Sequence, residues 1–110
     1  MKIKKVVVIG SGTMGSGIAA HLCNANIPVT LLDLKTEISE QARDRIYKSR
    51  PPLLLDKSKI DNIKVGNISD DFDAVKEADW VVEAVVERID IKHNIYEKIF
   101  KERKKGAIVS

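Results

Sequence analysis

Residues 6–17 read Val-Val-Val-Ile-Gly-Ser-Gly-Thr-Met-Gly-Ser-Gly, and this stretch decides how the rest of the chain can fold. Its first four residues are β-branched and apolar, which is typical of a buried strand. Gly10, Gly12 and Gly15 then follow in the spacing G-x-G-x-x-G. In such a turn the first glycine allows a tight bend, the second lets the backbone approach a pyrophosphate, and the third lets a helix pack closely on the sheet. The stretch therefore predicts a dinucleotide-binding turn.

The residues after the turn supply the structural context that this pattern requires. An apolar face follows it, at Ile18, Ala19, Leu22 and Cys23. This spacing predicts a helix over 13–24, whose free N–H groups would face the phosphates. A second apolar run, 28–32, ends in Asp33, about 20 residues after the glycines, where a carboxylate meets the ribose hydroxyls of a bound dinucleotide. A plain strand–turn–helix without a ligand would also use glycines, and the complete context makes that alternative the weaker one.

Length and composition restrict the class of protein. The chain of 110 residues is long enough for one modest core, so we expect a single domain over 1–110. The net charge is +3 and basic residues alternate with acidic ones, which argues against a nucleic-acid-binding surface. The sequence contains no apolar stretch long enough to cross a membrane and no cluster of metal-ligating residues. The single cysteine, Cys23, indicates a packed thiol in a reducing compartment, and we expect a cytoplasmic protein.

Strand patterns and helix patterns alternate along the whole sequence. The predicted strands cover residues 4–9, 29–32, 63–65, 79–86 and 107–110. The predicted helices cover residues 13–24, 36 to the Pro51-Pro52 pair, 72–78 and 90–104. Residues 51–61 form either a short helix or an ordered loop. This alternation predicts an α/β fold, a Rossmann-type doubly wound parallel sheet of order 3-2-1-4-5 that is truncated within its fifth strand.

Several polar residues and glycines are predicted to begin or end these helices. We expect Thr36 to cap the second helix and the run Ser69 to Asp71 to cap the third. Asn26 is expected to adopt the left-handed conformation that ends the first helix, and Gly106 to end the last one.

The sequence ends at Ser110, inside the predicted fifth strand. Because termini usually lie outside the elements that they follow, we expect residues 1–110 to be the first part of a longer polypeptide. The alternative is a naturally short protein whose last strand is an edge strand.

Four stretches together strongly resemble the NAD-binding domain of the 3-hydroxyacyl-CoA dehydrogenases. They are residues 10–19, residues 29–33, the run Asp-Trp-Val-Val-Glu-Ala-Val-Val-Glu over 79–87, and Gly-Ala-Ile-Val-Ser over 106–110. The most specific parts are Gly-Thr-Met-Gly-Ser-Gly in the turn and Glu-Ala-Val-Val-Glu over 83–87. The run 66–71 is most similar to the subgroup in which this domain leads a long polypeptide that also carries an enoyl-CoA hydratase region.

The resemblance implies a full-length enzyme of fatty-acid β-oxidation that oxidises an (S)-3-hydroxyacyl-CoA to the 3-ketoacyl-CoA and passes the hydride to NAD. The positions that match cofactor-binding residues of the family are Gly10, Gly12, Thr13, Met14, Gly15, Asp33, Glu87 and Lys92. The glycines match the pyrophosphate turn, Thr13 and Met14 match residues along the cofactor, and Asp33 matches the ribose acid. Without the resemblance, Glu87 could equally well stabilise a helix N-terminus, and Lys92 would pass as an ordinary exposed lysine.

The charge of Asp33 also bears on the choice of cofactor. A carboxylate at this position repels a 2′-phosphate, so we expect NAD rather than NADP to be bound. Lys35, two residues later, is the one nearby cation that argues the other way.

The catalytic residues of the family have no counterpart in this sequence. Members use a histidine as general base, oriented by a glutamate, with a serine and an asparagine at the substrate, and all of these lie beyond the fifth strand. We therefore predict no catalytic residue and no turnover for this chain alone, and His21 and His93, within helices, are not expected to replace the base. An acyl-CoA substrate and a possible homodimer through a C-terminal domain are expected only of the full-length protein, and a non-catalytic NAD-binding module is the alternative. Which residues would contact the CoA is left open.

Overall fold

The computed structural model describes residues 3–49, 54, 57–84, 89–103 and 108–109. Its strands are β1 (Val6–Ile9), β2 (Val29–Asp33), β3 (Ile63–Asn67), β4 (Trp80–Glu83) and β5 (Ile108–Val109). Its α-helices are α1 (Thr13–Asn24), α2 (Thr36–Lys48) and α3 (Ile89–Glu102), and two short 3₁₀ helices cover Lys57–Asn62 and Phe72–Glu77. The described strands form one parallel sheet of order β3-β2-β1-β4-β5, which confirms the predicted fold and strand order.

Strand β1 lies at the centre of this sheet. Val6 pairs with Val29 of β2 on one side and with Trp80 of β4 on the other, both in parallel. All four β1 residues are buried, because helices cover both faces of the sheet. A strand that is buried on both faces is apolar at every position, which is why 6–9 shows no polar alternation.

Two apolar clusters cover the two faces. Val6 and Val8 pack against α1 and α2, whose buried members include Ala19, Cys23, Ala42 and Ile46. Val7 and Ile9 point to the other face, where they meet Phe72, Val75, Ile95 and Ile99. This alternation along one strand is what places α1 and α2 on one side of the sheet and α3 on the other.

The first helix ends as predicted. Asn26 has a φ of 62°, the left-handed conformation that stops a helix. Its N–H donates to the Cys23 carbonyl at 3.0 Å, and the Ile27 N–H donates to the Leu22 carbonyl at 3.1 Å. These bonds satisfy carbonyls in the last turn of α1.

Neither of the next two helices has the side-chain cap that the sequence predicts, although Asp71 does occupy the N-cap position of its helix. Thr36 is the first residue of α2, and its hydroxyl accepts a hydrogen bond from Asn67 Nδ2 at 3.0 Å instead of capping the helix. The third predicted helix, 72–78, is a 3₁₀ helix at Phe72–Glu77. Asp71 precedes it, but the Asp71 carboxylate accepts the Asn67 N–H at 2.9 Å instead of capping the helix. Asn67, at the end of β3, therefore takes both side chains away from the helix ends.

Strand ends also differ from the sequence prediction. The N–H groups of Lys4 and Lys5 donate to the Asp79 carboxylate at 2.8 and 3.1 Å, so the ladder begins at Val6 rather than at residue 4. Strand β4 ends at Glu83, and residues 85–88 lie outside the described part of the chain. The expected stop at Gly106 also lies outside it.

A 3₁₀ helix at Lys57–Asn62 covers the last part of the stretch 51–61, where the sequence predicts either a short helix or an ordered loop. Arg43 of α2 donates to the carbonyl oxygens of Ile60 at 3.1 Å and Ile63 at 3.0 Å, and Asn62 Nδ2 donates to the Cys23 carbonyl at 3.2 Å. The Arg43 side chain of α2 and the carbonyl end of α1 thus hold the entry to β3. None of the helices in the described ranges is long and apolar enough to cross a membrane.

Candidate cofactor-binding site

The turn between β1 and α1 adopts a conformation that requires glycine at its first position. Gly10 has a φ of 105°, which side chains other than glycine rarely adopt, and its N–H donates to the Leu32 carbonyl at 2.7 Å. Gly12 is extended and forms the N-cap position of α1, where its carbonyl accepts the Ser16 N–H at 2.8 Å. The chain therefore leaves the central strand and enters the helix within three residues, at the carboxyl edge of the sheet.

The third position of the pattern, Gly15, requires glycine for a separate, steric reason. A Cβ atom at Gly15 would lie 1.8 Å from the Gly10 carbonyl oxygen and 3.5 Å from the Ala84 Cβ. Helix α1 can approach the turn this closely only without a side chain at this position. At Gly17, two residues further along α1, such a Cβ would have no atom within 4 Å apart from the neighbouring backbone of the helix itself.

The Asp33 carboxylate lies against this turn. It is the last residue of β2, and its Oδ2 accepts the Ser11 N–H at 2.8 Å and the Ser11 hydroxyl at 2.5 Å. Its Oδ1 accepts the N–H of Leu34 at 2.7 Å. The structure thus brings together the turn and the acid that the sequence predicted to serve one ligand.

The start of α1 is open to an anion. Among the described side chains, none caps the helix, and its first turn contains no acidic residue. The first N–H groups of an α-helix have no partner within the helix, and they carry the positive end of its dipole. This helix start therefore favours a phosphate next to the turn.

Sequence reasoning missed two residues at this turn, Ser11 and Arg45. Ser11 is only 1% exposed, and its carbonyl accepts hydrogen bonds from Ser16 Oγ at 2.9 Å and from Arg45 Nη2 at 3.2 Å. A hydroxyl between two glycines, with an acid at the end of the adjacent strand, was the available signal for Ser11. No pattern in the sequence linked Arg45, on α2, to the turn.

The other predicted cofactor residues are only partly described. Met14 lies in the first turn of α1 with 67% of its surface exposed, beside the open helix start. Thr13 begins that helix and Lys92 belongs to α3, but their side chains lie outside the description. Glu87 falls in the undescribed range 85–88. The roles of Thr13, Glu87 and Lys92 at the cofactor therefore stay predictions.

A cavity of about 400 Å³ lies at the opposite edge of the sheet. Its lining includes Lys5, Pro28 and Asn62, which precede β1, β2 and β3. In open parallel sheets ligands bind outside the carboxyl ends of the strands, so this cavity does not belong to the cofactor site.

His21 and Cys23 both lie in the second half of α1. His21 is exposed in the last turn of α1, at the end of the helix that points away from the turn. Cys23 is fully buried, and this burial raises the pKa of its thiol, which makes it a poor nucleophile. Within the described ranges, no group of three or more histidine, cysteine or acidic side chains is arranged to hold a metal ion.

Residues 5–110 match the family model described as 3-hydroxyacyl-CoA dehydrogenase, NAD binding domain. A probable 3-hydroxyacyl-CoA dehydrogenase of Deinococcus radiodurans is 44% identical over 100% of this chain and 34% of its own length. A second probable 3-hydroxyacyl-CoA dehydrogenase, of Bacillus subtilis, is 39% identical over 98% of this chain and 16% of its own length. The chain thus spans about a third or less of these two relatives.

Solved structures give the same result. The 3-hydroxybutyryl-CoA dehydrogenase of Escherichia coli superposes with a TM-score of 0.83 at 26% identity, over 99% of this chain and 24% of that one. The (S)-3-hydroxybutyryl-CoA dehydrogenase of Ralstonia eutropha superposes with a TM-score of 0.79 at 27% identity, over 98% of this chain and 40% of that one. With its glycine turn and its strand order, the chain belongs to the family of 3-hydroxyacyl-CoA dehydrogenase NAD-binding domains.

Proposed function

We propose that this chain binds NAD(H) in preference to NADP(H), as the cofactor-binding part of an (S)-3-hydroxyacyl-CoA dehydrogenase of fatty-acid β-oxidation. The observation that carries the proposal is the Asp33 carboxylate, bonded to Ser11 within the glycine turn at the carboxyl end of β2. A ribose hydroxyl beside the turn can donate to this carboxylate, whereas a 2′-phosphate would meet its negative charge.

Each part of the turn has its own task in holding the dinucleotide. Gly12 lets the pyrophosphate approach the backbone, and the N–H groups at the start of α1 donate to it. Gly15 keeps α1 close to the turn, so that these donors stay beside the end of β1. NAD supplies the hydride acceptor when it is bound, and this chain supplies its position.

The base that removes the substrate proton comes from outside this chain. Helix α1 has 12 residues and is therefore about 18 Å long, at 1.5 Å per residue. His21 lies near its far end, so this imidazole is distant from the carboxyl edge of the sheet, where the proposed cofactor site lies. Glu87 and Lys92 are assigned to the cofactor cleft by their match to the family pattern.

The remaining proposals concern the full-length protein. An acyl-CoA is its substrate, a homodimer forms through its C-terminal domain, and its location is cytoplasmic. The family match supports the acyl-CoA substrate, and the single buried cysteine, typical of a reducing compartment, supports the cytoplasmic location.

Calorimetric titration of the chain with NADH and with NADPH tests the cofactor preference. We expect NADH to bind at least about tenfold more tightly, because a 2′-phosphate beside Asp33 adds a repulsion of the order of 1.4 kcal/mol or more. The control is Lys35→Met, which removes the exposed cation nearest in sequence to Asp33 and should leave NADH affinity unchanged. Tighter binding of NADPH than NADH would overturn this reading of Asp33.

The catalytic half of the proposal has its own test. The chain alone should oxidise no NADH in the presence of acetoacetyl-CoA, and measurable oxidation would show that catalytic residues lie within 1–110. Sequencing beyond Ser110 separates the enzyme from a non-catalytic NAD-binding module. An Asn-Thr-Ser stretch and a later histidine with an acidic partner support the enzyme, and a stop codon supports the module.

A further inference from the structure

Ser11 occupies an unusual place in the glycine turn, because it is polar and yet buried. Its exposed fraction is 1%, although it lies between two glycines in the turn that faces the dinucleotide. Its N–H and its hydroxyl both donate to Asp33 Oδ2, and its carbonyl accepts from Ser16 and Arg45. A residue this enclosed has almost no surface for contact with the cofactor, so its hydroxyl acts on binding through the group to which it donates, Asp33.

The acceptor positions of Asp33 are almost fully used. A carboxylate can accept about four hydrogen bonds, two at each oxygen. Both positions of Oδ2 are taken by Ser11, and one position of Oδ1 is taken by the Leu34 N–H. Within the described part of the chain, the bonds to Asp33 leave one position, on Oδ1, for a ligand.

We propose that Ser11 is a positioning residue that makes Asp33 recognise a single hydroxyl of the adenosine ribose. The Ser11 hydroxyl holds the carboxylate in one orientation and occupies the acceptor that would otherwise take the second hydroxyl of the diol. The ribose hydroxyl that pairs with the acid in this fold is the 2′-hydroxyl, so the 3′-hydroxyl makes no bond to Asp33. This inference rests on the proposed binding of NAD(H).

Two NADH analogues test this inference on the unmodified chain. One lacks the 2′-hydroxyl of the adenosine ribose and the other lacks the 3′-hydroxyl. We expect the first to bind about tenfold more weakly than NADH, since a hydrogen bond to a charged group is lost, and the second to bind within about twofold of NADH. An equal loss for both analogues would overturn the proposal.

Variants then assign the effect to Ser11. In Ser11→Ala, Oδ2 is free to accept the 3′-hydroxyl, so removal of that hydroxyl should now weaken binding at least about threefold. The matched control is Ser16→Ala, which removes another buried hydroxyl, on α1, that bonds to Ser11 but not to Asp33. This variant should keep the wild-type pattern. The same response in both variants, or no change in Ser11→Ala, would show that Ser11 serves only the structure of the turn.

The outcomes separate this inference from the proposed function. If the chain binds NADH and prefers it to NADPH, but both ribose hydroxyls contribute equally, only the role of Ser11 is wrong. If the chain binds no NADH, both are wrong. Ser11→Gly replaces Ser11→Ala if the alanine variant does not fold, because it also lacks the hydroxyl.

Discussion

Replacing Gly15 by alanine tests how closely helix α1 approaches the glycine turn. The new Cβ would lie 1.8 Å from the Gly10 carbonyl oxygen and 2.9 Å from its carbon. Since non-bonded heavy atoms need more than about 3 Å, the helix and the turn would have to separate by more than about 1 Å. The Gly10 carbonyl is backbone and cannot rotate away as a side chain would. Overpacking typically costs about 1–3 kcal/mol, and we expect Gly15→Ala to reach the upper end of that range.

Gly17→Ala is the matched control within the same helix. Gly17 is exposed, and apart from the neighbouring backbone of the helix itself no atom lies within 4 Å of the position that its Cβ would occupy. Alanine in an exposed helix position is more favourable than glycine by about 0.5–1 kcal/mol, so this variant should be slightly more stable than the wild type.

Urea unfolding followed by far-ultraviolet circular dichroism measures both effects. A loss of about 3 kcal/mol is a large part of the 5–15 kcal/mol that stabilises a typical domain, so it is easily resolved. NADH titration should show lost affinity in Gly15→Ala, because the N–H donors of α1 move with the helix, and unchanged affinity in Gly17→Ala. A Gly15→Ala variant with wild-type stability and affinity would refute the close approach.

The other predictions concern Gly66, Cys23 and Asp33. Gly66→Ala should lower the free energy of unfolding, measured by urea unfolding, by about 1–3 kcal/mol, because its Cβ would lie 2.4 Å from the Asp71 carboxylate. The double variant Gly66→Ala/Asp71→Ala removes that carboxylate and should recover part of the loss. Burial raises the pKa of the Cys23 thiol, so the folded state holds this proton more tightly than the unfolded state. The free energy of unfolding should therefore fall as the pH rises above the ordinary thiol pKa. This fall should be smaller in Cys23→Ala. Asp33→Asn should weaken NADH binding, measured by calorimetry, about tenfold or more. It should not produce tight NADPH binding, because Ser11 also loses its charged partner. Tight NADPH binding by Asp33→Asn would contradict the role of Asp33 in both the ribose contact and the turn.

The fold could be predicted because the information that decides it is local. The uninterrupted apolar run of β1 indicates a central strand, and the glycines and helix patterns determine the order in which strands and helices follow. The exact strand ends could not be predicted, because contacts distant in sequence decide them. Asp79 takes the N–H groups of Lys4 and Lys5 across more than 70 residues, and no local pattern carries that contact.

The absence of side-chain caps could not be predicted for a related reason. A threonine or aspartate before a helix is a good N-cap only when no better partner is nearby. Here Asn67 offers a side-chain amide to Thr36 and a backbone N–H to Asp71. The competition depends on the end of β3 lying beside both helix starts, which is a property of the folded chain.

The candidate site was predictable in its parts but not in its internal bonds. The glycine spacing identified the turn, and the distance along the chain identified Asp33 as the acid that belongs to it. That Asp33 also bonds to Ser11, 22 residues away, depends on how β1 and β2 end side by side. Side-chain orientation at such an edge is determined by packing rather than by sequence pattern.

The most direct test of the cofactor site is a map of the amide signals that NADH shifts in the ¹⁵N-labelled chain. We predict the largest chemical-shift changes at Met14, Gly15 and Leu34, beside the turn and Asp33, and no change at Lys5 and Asn62, which line the cavity at the amino edge. Changes centred on Lys5 and Asn62, with the turn unaffected, would contradict the assignment of the glycine turn as the NAD site.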